Sequence, residues 1–153
     1  MGIRYIEHGD IFQDDAQVLV CPTNAGGIMG NGLAFAFRMR IPGLFPRYRR
    51  HCAKHDLDDM VHFPFKAEDC IVYCFHTKKK WWMDSTTALI RDGLMKLINW
   101  CAENGIEQIA LPALGCGKGG LDFDKDLVPL LEELLKELDM DVTVYCPDYR
   151  SKK

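Results

Sequence analysis

Apolar residues in this chain recur in two rhythms, separated by turn residues. Residues 2–7 set Ile3 and Tyr5 against Arg4 and Ile6, the alternation of a strand, which ends at His8-Gly9-Asp10. Residues 17–21 carry the run Val18-Leu19-Val20, a buried strand, and 70–75 (CIVYCF) predict another, β-branched in part. A short strand over 62–66 belongs at a sheet edge because of Pro64. Residues 106–111 and 141–146 predict two more strands. Helical spacing fills the gaps. One short helix is predicted over 31–39, ended by Pro42-Gly43. A second covers 44–54, with Pro46 in its first turn, Phe45, Tyr48 and Cys52 inward and the arginines outward. The longest helix is capped by Asp84 or Ser85, carries an Ile90-Leu94-Leu97-Ile98-Cys101 stripe and stops at Asn104-Gly105. The last spans 124–138 with Leu127, Leu131, Leu134 and Leu138 on one face, and the tail to Lys153 is polar. Strands alternating with helices on short connections predict an α/β fold, a three-layer α/β/α sandwich, with residues 1–153 as one domain.

Composition narrows the class. With 48% hydrophobic and 27% charged residues, the 153-residue chain is composed like a soluble globular domain. No apolar run approaches the roughly 20 residues of a membrane span, and MGIRYIEHGD lacks the apolar core of a signal peptide. Seven cysteines, an odd number with several in apolar runs, point to reduced thiols and a cytoplasmic setting. No C-x-x-C pair exists and His51-Cys52…His55 is a poor metal template, so structural zinc is not expected; no metal site or cofactor is expected either. A net charge of −3 argues against a nucleic-acid coat protein. Its distribution changes the picture. Arg38, Arg40, Arg47, Arg49, Arg50 and Lys54 share a stretch without an acid, Lys78, Lys79 and Lys80 form a second cluster, and acids gather from Asp122 to Asp141. Such a basic face is either ordinary solvated surface or a match for a polyanionic substrate.

Two glycine-rich stretches carry the candidate chemistry. CPTNAGGIMGNGLAFAF (21–37) follows the Val18–Val20 run and PALGCGKGGLDF (112–123) follows Ile109-Ala110-Leu111; each holds four of the chain's 13 glycines. One loop of this kind after a strand is often only a tight turn. Two of them suggest backbone N–H groups gripping a diphosphate from both sides. Neither fits GxxxxGK[ST] or the GxGxxG dinucleotide fingerprint, so the expected nucleotide site is of neither type.

Taken together, Gly9-Asp10-Ile11, VCPTNAGGIMGNGLAFAF and IALPALGCGKGGLDF resemble the motifs of a macrodomain, the ADP-ribose-binding α/β/α module, over nearly the whole chain. The likeness is strongest to the branch holding the DarG DNA ADP-ribosyl glycohydrolases and the terminal ADP-ribose protein glycohydrolases, and phage proteins that process ADP-ribose 1″-phosphate are also similar. That branch has F-P-T-K after its third strand; here Phe75-His76-Thr77-Lys78 stands there, followed by Trp81. Cys21 occupies the first Asn position of V-N-x-x-N, while Asn24 keeps the second, and Phe123 replaces a common Trp. The resemblance implies a mixed central sheet and an ADP-ribose site. Asp10 and Ile11 would read adenine, and Gly30, Asn31, Gly32 and Leu33 would face Gly115, Cys116, Gly117, Lys118 and Gly119 across the diphosphate. Asn24 would orient the distal ribose, and Thr77 is also expected among the ADP-ribose-binding residues.

Lys78 is the candidate catalytic residue. Breaking the C1″–N or C1″–O bond of an ADP-ribosyl group passes through a transition state with oxocarbenium character. A neutral lysine amine beside C1″ attacks it, or forms an imine with the opened ribose. The branch resemblance implies the same role, and the plain alternative is that 78–80 is an exposed cationic loop. Arg47, Arg49, Arg50, Lys79, Lys80 and Trp81 are candidate nucleic-acid contacts, and one of Trp81 and Trp82 is expected in the core. Three activities fit: removal of ADP-ribose from modified DNA (thymidine-linked before others) or protein, ADP-ribose 1″-phosphate hydrolysis, and non-catalytic reading. The first is favoured. The expected partners are ADP-ribose and an ADP-ribosylated substrate, with no membrane, and the chain is expected to act as a monomer.

Overall fold

The structure, a computed structural model, describes residues 2–148. The rest of the polar tail expected up to Lys153 lies outside the described residues. Six strands form one sheet in the order β1-β6-β5-β2-β4-β3. They are β1 (Gly2–Ile6), β2 (Val18–Asn24), β3 (Phe63–Lys66), β4 (Ile71–Lys78), β5 (Gln108–Leu111) and β6 (Asp141–Tyr145). Every neighbouring pair is parallel except β3 against β4, so the sheet is mixed. Pro64 sits on the outermost strand, where a missing donor costs little.

Helices cover both faces because inner strands are apolar on both. Val18 and Val20 of β2 pack with Leu94 and Leu97 of α3 (Thr87–Glu103) and Leu131 of α4 (Val128–Leu135). The alternate residues Leu19 and Cys21 pack with Phe37 of α1 (Gly32–Arg40) and with Leu44 and Tyr48 of α2 (Leu44–Lys54). Burying each large side chain of this kind contributes roughly 1.5–3 kcal/mol. The result is the three-layer α/β/α sandwich that the alternation predicts.

Three expectations are corrected. Helix α3 is capped by Thr86, whose hydroxyl accepts from the Leu89 N–H at 3.1 Å, rather than by Asp84 or Ser85. The single helix expected over 124–138 divides into a π-type turn, Phe123–Leu127, and α4. Pro129 explains the division: with no N–H to give, it belongs in the first turn of an α-helix, so α4 begins beside it. Strand β4 continues three residues past Phe75, through His76 and Thr77 to Lys78.

The layout places a crevice. Chain leaving β2 runs to α1 on one face, whereas chain leaving its neighbour β5 runs to α4 on the other. Connections that part in opposite directions from adjacent parallel strands open a cleft at the strands' C-terminal ends.

Candidate active site

That cleft holds a cavity of about 370 Å³ whose wall combines the ends of β2 and β4 with both glycine loops. From the first loop come Asn24, Ile28, Gly30, Asn31, Gly32 and Leu33; from the second, Gly115, Cys116, Lys118 and Gly119; from β4 and its exit, Thr77, Lys78 and Trp81. Two loops separated in sequence by α1, α2, α3 and three strands thus face one space. Of the residues expected to bind ADP-ribose, Asp10, Ile11 and Gly117 do not line it. The Asp10 carboxylate accepts from the Phe12 N–H at 3.0 Å and so caps the short helical turn Ile11–Gln13, and the Ile11 side chain is buried in the α1/α2 core.

The first loop is braced from inside. Asn24 Oδ1 accepts from the N–H groups of Gly26 (3.1 Å) and Ile28 (3.3 Å), and its Nδ2 donates to Ile28 O at 2.8 Å. The Tyr48 hydroxyl donates to the Asn24 carbonyl at 2.6 Å. Asn24 therefore shapes the loop first, and its second Nδ2 hydrogen is what remains for a ligand. Beyond it, α1 begins at Gly32 with no side-chain cap from Asn31, so first-turn N–H groups stand at the cavity wall. Gly32 has φ +54° and open space where a Cβ would be, which suits close approach of a ligand.

The second loop folds on itself. Leu121 N–H donates to Gly115 O at 3.0 Å and Gly120 N–H to Gly117 O at 3.1 Å. Asp122 caps the following turn through the Lys125 N–H at 2.7 Å and does not line the cavity. No Asp or Glu is among the described residues that line it, while Lys78 and Lys118 are. A cavity with two cations, helix-start N–H groups and no carboxylate is built for an anion.

Lys78 reaches this wall through an irregularity. Thr23 pairs with His76 across β2 and β4, but Asn24 pairs with Lys78, leaving Thr77 as an extra residue. The Thr77 hydroxyl donates to Thr23 O at 3.2 Å, and the Ala25 N–H donates to Lys78 O at 3.1 Å. Among the described residues no carboxylate pairs with Lys78 Nζ. Lys79, by contrast, is bound to Asp58 at 2.8 Å, and Lys80 lies over the Trp82 ring. Trp81 is 52% and Trp82 63% exposed. Neither is core, contrary to the expectation for one of them: the turn after β4 leaves the sheet before any helix covers it. Arg47, Arg49 and Arg50 are exposed on α2, as the helical spacing requires.

Behind β4 lies a group that sequence reasoning missed. His76 Nδ1 is 2.9 Å from Thr23 Oγ1, His62 Nδ1 is 2.8 Å from the Tyr73 hydroxyl, and the His62 and His76 rings meet edge-on at 5.5 Å. Burial holds both imidazoles neutral, His62 lowered to about 2 and His76 to about 4. The Lys96 ammonium lowers both further, as do the neighbouring imidazoles whenever one of them takes a proton: His76 and His51 on His62, His51 and His55 on His76. Four histidines scattered from 51 to 76 carry no spacing signal; only the packing of α2 on β3 and β4 gathers them. Thr23, Pro112 and Ala113 also line the cavity unforeseen, as apolar or small residues at strand ends.

Paired glycine loops over a carboxylate-free cavity at the switch point of a mixed-sheet sandwich define an α/β module with a cleft at the strand ends. The chain belongs to the Macro domain family, whose model matches residues 20–127. It is 33% identical over 149 residues to the DNA ADP-ribosyl glycohydrolase of Mycobacterium tuberculosis, covering 94% of this chain and 42% of that protein. The chain thus spans less than half the length of that curated relative. The macrodomain of Thermus aquaticus DarG superposes with a TM-score of 0.83 at 28% identity, covering 95% of this chain and 98% of that one. Thermosipho africanus DarTG in complex with ADP-ribose superposes with a TM-score of 0.85 at 30% identity, covering 95% of this chain and 42% of that one.

Proposed function

We propose that this macrodomain is an ADP-ribosyl glycohydrolase that removes ADP-ribose from modified DNA, thymidine-linked before other attachments. The observation that carries this reading is Lys78, an ammonium with no carboxylate partner among the described residues, on the wall of an anion cavity between two glycine loops. The diphosphate sits between the 30–33 and 115–119 backbones, with adenine towards Asp10 and Ile11 and the distal ribose near Asn24 and Thr77. Lys78 then lies by C1″. Its Nζ bonds to C1″, directly or as an imine of the opened sugar, while the C1″–base bond breaks and the departing base nitrogen takes up a proton; water then hydrolyses the C1″–Nζ bond, releasing ADP-ribose and restoring the amine. The names of the mycobacterial relative and of the Thermosipho complex support both substrate class and ligand.

The basic face supports nucleic acid rather than protein as the attached group. Arg47, Arg49 and Arg50 stand exposed on α2, Lys80 is exposed, and Trp81 lines the cavity. The deciding measurement is release of ADP-ribose from a thymidine-linked oligonucleotide and from a glutamate-linked peptide. Faster turnover of the oligonucleotide is expected. Turnover of the peptide alone reverses the substrate assignment, and turnover of neither rejects the enzyme.

A further inference from the structure

Ser85 is 5% exposed, and its hydroxyl is the buried side-chain polar atom without a hydrogen-bond partner among the described residues. A buried hydroxyl without a partner lowers stability, and alanine would fill the same space without that cost. What surrounds the hydroxyl is the second glycine loop. The Ser85 N–H donates to Gly119 O at 2.9 Å. A Cβ on Gly119 would lie 2.7 Å from Ser85 Oγ, and one on Gly115 would lie 3.2 Å from Ser85 Cβ. Ser85 thus occupies the room that the missing side chain of Gly119 leaves and shares with Leu121 and Ile90 the room left at Gly115, both glycines lining the cavity.

The turn it underlies can rearrange cheaply. Gly115, Gly117 and Gly120 all have positive φ, at +77°, +69° and +88°, where glycine moves between conformations without steric penalty.

We propose that Ser85 is a positioning residue for a diphosphate in the cavity, acting through the 117–119 turn. Its N–H tethers the turn at Gly119, and its hydroxyl bonds the turn's backbone once the turn closes on the two phosphates. The free hydroxyl is then the partner reserved for the closed arrangement. This rests on the ADP-ribose reading of the cavity and adds to it a residue outside the lining.

The test is Ser85→Ala, titrated calorimetrically with ADP-ribose, ADP and adenosine beside the wild type, with thermal midpoints for both. Affinity for the two diphosphates is expected to fall roughly tenfold, adenosine to bind equally, and the midpoint to stay or rise. Equal diphosphate affinity in the variant overturns the inference. A lowered midpoint with parallel losses for all three ligands also overturns it, since that is what a merely structural serine gives. Wild type that binds no ADP-ribose overturns the cavity reading and this inference together.

Discussion

Lys78 stands opposite Asn24 across β2 and β4, although His76 stands opposite Thr23, so Thr77 is an inserted residue in β4. In a regular strand, residues two apart share a face. Lys78 would then have followed His76 towards α2, where His76 meets Tyr48 and His51. The bulge bends the strand and re-aims the lysine at the cavity, a common use of bulges beside active sites.

If Lys78 acts on C1″, its removal separates chemistry from binding. Lys78→Ala is expected to lower release of ADP-ribose from a modified oligonucleotide at least ~100-fold. Affinity for free ADP-ribose, read by calorimetry, should change far less. Unchanged turnover would reject the lysine mechanism and leave the fold untouched.

Tyr48 links the core to the first loop. Its hydroxyl donates to the Asn24 carbonyl at 2.6 Å, and both groups are buried. Tyr48→Phe keeps the ring and leaves that carbonyl only the weak Cys52 thiol donor at 3.9 Å, so stability should fall by about 1–3 kcal/mol in urea unfolding. Because Asn24 holds Gly26 and Ile28 in place, ADP-ribose affinity should fall with it. A variant as stable as wild type would mean that the loop holds its shape without this bond.

Acid should unfold the protein through the buried histidines. The folded state keeps His62 and His76 neutral, down to about pH 2 and about pH 4, while the unfolded chain protonates both near their ordinary value of 6.5. Below pH 6.5 the unfolded state therefore binds more protons, and stability falls as pH drops towards each folded value. The slope is about 1.4 kcal/mol per pH unit for each histidine across the shared window from 6.5 to 4. Chemical denaturation at successive pH values measures it, and a flat profile between 6.5 and 4 would contradict the neutral pair. His76→Asn should roughly halve the slope, leaving the His62 contribution.

The α2 arginines offer a test of the nucleic-acid face that spares the cavity. Reversing Arg47, Arg49 and Arg50 to Glu is expected to slow hydrolysis of a modified oligonucleotide roughly tenfold and to reduce its salt dependence. Hydrolysis of a modified mononucleotide should be unaffected. Equal losses on both would make those arginines ordinary surface.

Much of this protein is legible in linear order. The bounds of α2, the Leu94-Leu97 face of α3, its stop at Asn104 and Gly105, and the two glycine loops all follow from local spacing, since periodicity and turn chemistry act over a few residues. The apolar run of β4 was equally clear, but His76, Thr77 and Lys78 are polar, and only pairing with β2 makes them strand. Long-range contact likewise decided which loop residues share one cavity and placed Trp81 and Trp82 in solvent. It also gathered histidines from α2, β4 and the approach to β3, and set Ser85 beneath Gly119. Local patterns settle what each segment becomes; which side chains meet depends on register and packing between segments far apart in the chain, and those have no period to read.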